Sequence, residues 1–366
     1  MTRTFSRPIK RVVVKVGSSV IAGFTLKAKT AQLRSLVGQM SGLNARGVEV
    51  ILVSSGAIVL GMGELGLTTR PSDLASLQAL AAVGQAVLMK TYSDLFKKAK
   101  AKCAQVLLTW DDFDSRERYN NASNTLKAIL AHGVIPVINE NDTISTDEIK
   151  FGDNDKLSSL VAGLVHADLL ILLSDVEGLY EKRDGKKEYF SEVKEINADI
   201  KSIAGGSANK NISKGGMSAK LDAIKIATNG NIPCVIASGA SKDVLTRVVG
   251  GERIGTFFFA QEDKALARQH WISFIAKPKG AVTVDDGAAA ALLKGGKSLL
   301  LPGVVKSEGH FKAHEVVIVQ DKRGDEIARG VVEYSVADLV GAAAADAGKK
   351  GKREVIHCDN LVLCKR

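Results

Sequence analysis

Six short runs in this chain are apolar on nearly every residue rather than on alternate ones. They are RVVVKV at 11–16, VEVILV at 48–53, QVLLT at 105–109, VIPVI at 134–138, DLLILL at 168–173 and IPCVIA at 232–237. Alternation marks a strand with one wet face, whereas near-continuous runs of this length mark strands covered on both faces. Between them lie stretches of helical spacing, such as Leu33, Leu36, Val37, Met40 and Leu43, with Gly47 placed to end the helix. Strands alternating with helices imply βαβ units, a mostly parallel sheet and helices on both faces. The expected architecture is α/β, a three-layer αβα sandwich.

The pattern changes near residue 260. Trp271 to Ile275 is short and apolar, 281–284, 298–301, 316–319 and 327–332 read as short strands, and GAAAALLKGG reads as a small helix. A chain of 366 residues has room for two domains. We expect a large one over 1–262, a linker over 263–278 and a small β-rich one over 279–358, with the Ala/Gly/Lys stretch 342–352 as a further linker. The net charge of +10 is spread, with 35 basic against 28 acidic residues before His270 and 15 against 12 from it onward. A surface built for nucleic acid concentrates its charge, so small anionic ligands are favoured over RNA. Cys103, Cys234, Cys358 and Cys364 form no CxxC pair and read as reduced thiols of a cytoplasmic protein. The apolar stretch 157–173 is interrupted by His166 and Asp168, and the N-terminus has no apolar leader core, so neither a membrane span nor a secretion signal is expected.

The chemistry-bearing residues gather where strands end. The first run carries Lys15 and stops at Gly17-Ser18-Ser19; the second stops at Ser54-Ser55-Gly56-Ala57. A strand running into a Gly/Ser turn presents backbone N–H groups to phosphate. A lysine inside such a run needs a partner or must reach out of the sheet edge. The fourth run breaks into Asn139, Glu140, Asn141 and Asp142, followed by Asp153, Asn154 and Asp155. These two acidic knots need a counter-charge, such as lysines, a divalent metal or a substrate ammonium; alternatively they only make turns in a solvated loop. Gly61, Gly63 and Gly66 spell GxGxxG, but about a helix-length after the strand rather than directly behind it, so they read as a glycine-rich helix exit. No GxxxxGK[ST] occurs, and the protein-kinase motif set is absent. Lysines, glycine turns and carboxylates fit phosphoryl transfer, which is mostly positioning and charge neutralisation. The six histidines lie outside these turns, which favours an acceptor already ionised near pH 7, a carboxylate or a phosphate.

VVVKVGSSV, ILVSSGAIVLG, QALAAVGQ, VIPVINENDT, IKFGDNDKLS, LLSDVEGLY and GGMSAKLDA, in that order, resemble the amino-acid kinase family, in particular its glutamate-phosphorylating branch. Residues 271–339, with VTVDDGAAAALL and KSLLLPGV, are similar to the PUA domain. The resemblance implies ATP-dependent phosphorylation of the γ-carboxylate of L-glutamate, the first step of proline synthesis, with Mg²⁺ carried mainly by the nucleotide phosphates. It implies that Lys15 and Lys220 contact the transferring group and that Asp155 orients them. Ser55, Asn139, Asp142 and Asn154 would hold the glutamate, with Asp142 facing its ammonium. Gly17, Ser174, Asp175, Lys214, Gly215, Gly216, Met217, Ser218 and Ala219 would border the nucleotide. Proline as feedback inhibitor, a homo-oligomer (tetramer or dimer) and a glutamyl-phosphate reductase as recipient of the labile product are further implications. Two departures stand out: Ser213-Lys214 where relatives have Gly-Thr, and Ser174-Asp175 where Thr-Asp is frequent. The rival expectations are a kinase of the same fold acting on acetylglutamate, carbamate, a nucleotide or aspartate, and an RNA-binding protein acting through the PUA-like tail.

Overall fold

The computed structural model describes residues 3, 5–21, 27–114, 116–144, 154–183, 186–205, 216–261, 278–339 and 354–363. The chain divides into two compact units, Met1–Gln261 and Glu262–Arg366.

The first unit is built on strands β1 (Arg11–Val16), β2 (Glu49–Ser54), β3 (Cys103–Leu108), β4 (Ile135–Glu140), β5 (Leu169–Ser174), β6 (Tyr180–Arg183), β7 (Lys186–Tyr189), β8 (Glu192–Val193), β9 (Cys234–Ser238) and β10 (Thr256–Phe258). Six of them run parallel in the order β3-β4-β2-β1-β5-β9, and the sheet continues through β10, antiparallel to β9, to β8. Val12, Val13, Val14 and Val16 are all fully buried, as near-continuous apolar runs require. Helices α1 (Ser18–Ile21), α2 (Lys27–Ala45), α3 (Ala57–Glu64), α4 (Leu74–Lys98), α5 (Asp111–Asp114), α6 (Arg116–Ala131), α7 (Asn154–Leu164), α8 (Ala198–Gly205), α9 (Met217–Asn229) and α10 (Val244–Val249) make the outer layers. Val12, Val14 and Val16 join one core with Leu33, Leu36 and Met40 of α2 and Leu88, Tyr92 and Phe96 of α4. Side chains alternate across a strand, so Val13 and Lys15 face the opposite layer, where α7 lies against β1 and β5 and packs on α9. That alternation aims Lys15 at the start of α7.

Local structure departs from the plain sequence pattern at three places. The polar segment 180–205 holds the β6–β7 hairpin, β8 and α8. The polar stretch after Leu108 folds early into α5 and α6, because the Asp112 carboxylate accepts from both the N–H and the hydroxyl of Thr109, at 2.6 and 3.0 Å. Gly61 and Gly63 lie within α3 rather than beyond it; only Gly66, at φ 67°, makes the exit. Gly61 and Gly84 instead let α3 and α4 touch backbone to backbone. A Cβ at Gly84 would sit 1.7 Å from the Ala57 carbonyl oxygen, and one at Gly61 2.0 Å from that of Leu80.

Among the described residues, α4 is the one helix long and apolar enough, by length and composition, to cross a membrane. It carries Lys90, Asp94, Lys97 and Lys98, and its buried face packs into the core of the first unit.

The second unit centres on a five-stranded sheet ordered β13-β11-β14-β15-β17. The described strands of this unit are β11 (Gly280–Val284), β12 (Leu299–Leu300), β13 (Val304–Gly309), β14 (Val316–Gln320), β15 (Glu326–Val331), β16 (Glu354–Ile356) and β17 (Leu361–Leu363), with β12 and β16 paired separately. Helix α11 (Asp286–Leu293) is capped by the Asp285 carboxylate, which accepts from the Ala288 N–H at 2.7 Å. Pairing of β15 with β17 carries this sheet to residue 363. Trp271–Ile275 and the stretch 342–352 lie outside the described residues.

Candidate active site

The carboxyl ends of β1, β2 and β4 and the amino ends of α7 and α9 meet at one place. Asp155, in the first turn of α7, is almost fully buried and holds two ammonium groups. Lys15 Nζ lies 2.5 Å from Oδ1, and Lys220 Nζ lies 2.8 Å from Oδ2. Burial by itself would push the Asp155 carboxyl up, but the charges and hydrogen bonds of Lys15 and Lys220 hold it below the usual carboxylate range. Position at a helix N-terminus favours the same ionised form. Two cations on one anion leave a surplus positive charge at the sheet edge, with Lys15 and Lys220 only 8% and 12% exposed. Such an arrangement is prepared for an anionic group that arrives with its own charge.

Beside the clamp is a cleft of about 540 Å³, including space open to solvent, lined in part by Ser55, Asn139, Glu140, Asp142 and Asn154. Asn154 Nδ2 donates to the Ser54 carbonyl oxygen at 2.5 Å, to Ser55 Oγ at 3.0 Å and to Asn139 Oδ1 at 2.8 Å. Asn139 Nδ2 in turn donates to Gln85 Oε1 at 2.8 Å. Behind them, Ser54 Oγ and Tyr92 Oη share a hydrogen bond of 2.9 Å, and burial pushes the Tyr92 phenol up. The Asp142 carboxyl is raised to about 7 by desolvation and by neighbouring Glu140, against the opposing pull of Arg70. A carboxyl so placed gains most from a cationic partner.

Lys15, Asp155 and Lys220 are therefore brought into direct contact, and Ser55, Asn139 and Asn154 form one hydrogen-bonded group with Asp142 lining the same cleft. Gly17 is buried directly after β1. Ser174 ends β5, its hydroxyl 3.0 Å from Asp175 Oδ1, and its carbonyl accepts from the Gly239 N–H. Gly216 precedes α9, which Met217, Ser218 and Ala219 open. Lys214, Gly215 and Asp153 lie outside the described residues. Sequence reasoning gave no individual role to Gln85 or Arg70. Gln85 closes the apolar helical motif QALAAVGQ, where its polar side chain beside Gly84 was the available signal.

A model of the amino acid kinase family matches residues 10–238, which take in the whole clamp and cleft, and the chain belongs to that family. A PUA domain model matches residues 280–352. The glutamate 5-kinase of Caldanaerobacter subterraneus subsp. tengcongensis is 46% identical over 368 residues, covering 97% of this chain and 98% of that protein. The glutamate 5-kinase of Carboxydothermus hydrogenoformans is 44% identical over 372 residues, covering 99% of each. Among solved structures, carbamate kinase from Giardia lamblia bound to AMP-PNP aligns with a TM-score of 0.49 at 16% identity, over 69% of this chain and 99% of that one.

Proposed function

We propose that this chain is a glutamate 5-kinase, transferring the γ-phosphoryl group of ATP to the γ-carboxylate of L-glutamate. A carboxylate oxygen attacks the γ-phosphorus, the bond to the bridging β–γ oxygen breaks, and ADP leaves with that oxygen's charge. The products are ADP and L-glutamyl 5-phosphate, and the step opens proline biosynthesis. The observation that carries the reading is the clamp: two lysines held by one buried carboxylate, beside a cleft lined with amides and a serine.

In this reading Lys15 and Lys220 contact the phosphoryl oxygens and neutralise charge that grows as the bond to ADP breaks. Asp155 keeps both ammonium groups aimed. Both of its oxygens face an ammonium, and Mg²⁺ would reach the site on the nucleotide phosphates, where it would neutralise their charge. Ser55, Asn139 and Asn154 bind the acceptor. Gly17, Ser174, Asp175 and the segment from Lys214 to Lys220 border the nucleotide. No proton needs to leave the acceptor, because a γ-carboxylate is ionised at neutral pH, and the cleft accordingly needs no histidine base. Proline acting at the acceptor cleft, a homo-oligomeric assembly, a reductase receiving the product and a cytoplasmic location belong to the same proposal.

Asp142 faces the substrate ammonium. Replacing Asp142 with alanine raises the KM for glutamate by about 10- to 100-fold, the worth of one charged hydrogen bond, with the KM for ATP little changed. An unmoved glutamate KM would place the acceptor elsewhere. Because burial lifts this carboxyl to about 7, the protein holds a proton there that an unfolded chain releases near pH 4. The charged partner for the ammonium is thus mostly missing at pH 6 and mostly present at pH 8. The KM for glutamate falls as pH rises across that interval in the wild type and is flat in Asp142→Ala, as initial rates at fixed saturating ATP would report.

The functional assay is ADP release from ATP and Mg²⁺ with and without L-glutamate, and with acetylglutamate, carbamate or aspartate in its place. Release that depends on glutamate supports the proposal. Release with another acceptor alone transfers the chain to a different kinase of the same family.

A further inference from the structure

The amides behind the acceptor cleft form a chain whose polarity has one end fixed. The Ser54 backbone carbonyl can only accept, so the Asn154 group facing it must be the NH₂. Asn139 must then turn its oxygen to Asn154 and its NH₂ to Gln85, and Gln85 must answer with Oε1. Reversing any one amide would set two donors or two acceptors against each other. The chain leaves one group over: Gln85 Nε2 is buried and finds no hydrogen-bond partner among the described residues. An uncompensated buried donor costs desolvation, and here it is the consequence of using the other end of the same amide as an acceptor.

A second observation places Gln85 where it can do this. The neighbouring Gly84 lets α4 approach until a Cβ there would collide with the Ala57 carbonyl oxygen, at the start of α3. Two turns further along α4, Tyr92 reaches Ser54 Oγ. One helix face therefore fastens the ends of both β2 and β4, through Tyr92 to Ser54 and through Gln85 to Asn139.

Resting on the functional reading above, we propose that Gln85, which is not part of the cleft lining, is a positioning residue for the acceptor: with Asn154 oriented by the Ser54 carbonyl, Gln85 anchors the far end of the chain and holds the Asn139 amide in place for the bound amino acid. Its side chain touches no substrate and acts by orienting groups that do.

The test compares Gln85→Met, which keeps length but has no comparable acceptor, with Gln85→Glu, which keeps an acceptor at the Oε1 position. Gln85→Met raises the KM for glutamate about tenfold or more, while the KM for ATP stays within about twofold. Gln85→Glu stays within about threefold of wild type for both. Thermal melts of both variants show whether the fold is kept. An unmoved glutamate KM in Gln85→Met overturns the proposal, and so does a Gln85→Glu enzyme that loses glutamate binding or weakens ATP and glutamate alike. If Gln85→Met does not fold, the Gln85→Glu result decides. The wild type assayed alongside separates the two levels: no glutamate-dependent ADP release from it overturns the functional reading itself, and the positioning role with it.

Discussion

Replacing Lys220 with alanine lowers kcat by about 100- to 1,000-fold, the usual worth of one donor aimed at developing charge, and leaves the fold in place. The charge balance of the clamp explains both halves of this result. Asp155 is shared by two ammonium groups, so losing Lys220 leaves a neutral pair with Lys15 rather than a stranded ion. What disappears is positive charge facing the charge that develops as the bond to ADP breaks, an interaction stronger in the transition state than in the ground state. The KM values for ATP and glutamate should therefore move much less than kcat. Steady-state kinetics with a thermal melt checks this, and a near-normal kcat removes Lys220 from the mechanism.

Asp155→Asn has the larger effect on the protein itself. The variant keeps the shape of the side chain but removes the carboxylate that bridges two little-exposed ammonium groups. Breaking a buried ionic group in this way costs about 3–5 kcal/mol of stability, and kcat falls because neither lysine is aimed. The sign of the pH dependence follows from the direction of the shift. The folded-state value of Asp155 lies below the ordinary one, so its stabilising contribution is present at neutral pH and is lost as pH falls through that lowered value. The stability gap between wild type and Asp155→Asn is thus widest near pH 7 and narrows below about pH 4. Urea unfolding at several pH values measures it. A gap independent of pH would mean that the carboxylate is not what binds the lysines.

Much of this arrangement was legible in the residues, for reasons that can be named. Near-continuous apolar runs belong to strands buried on both faces, and β1, β2, β4, β5 and β9 are such strands, whereas β3, read the same way, lies at the sheet edge and is mostly half-buried. Lys15 drew notice because a lysine in a buried run must have a partner, and the partner is Asp155. The rest depended on contacts that no local pattern encodes. Lys220 lies 65 residues from Asp155; the family resemblance named the pair, no local pattern did, and the packing of α9 on α7 joins them. Gln85 sits in a helix whose composition reads as core, and its role comes from the close passage at Gly84 that glycine alone allows. In the segment 180–205 the strands are short, and in β7 all four residues lie in solvent. Short exposed strands carry little apolar signal. The glycines of GMGELG were read as punctuation, whereas Gly61 works inside α3 as a contact surface.

The most direct measurement is to run the reaction in hydroxylamine, which captures an acyl phosphate as a stable hydroxamate. With ATP, Mg²⁺ and L-glutamate, the wild type should yield γ-glutamyl hydroxamate in step with ADP, and Lys220→Ala should form both at the same much reduced rate. ADP formed without hydroxamate, or hydroxamate from the variant at the wild-type rate, would contradict transfer to the carboxylate by the clamp of Lys15, Asp155 and Lys220.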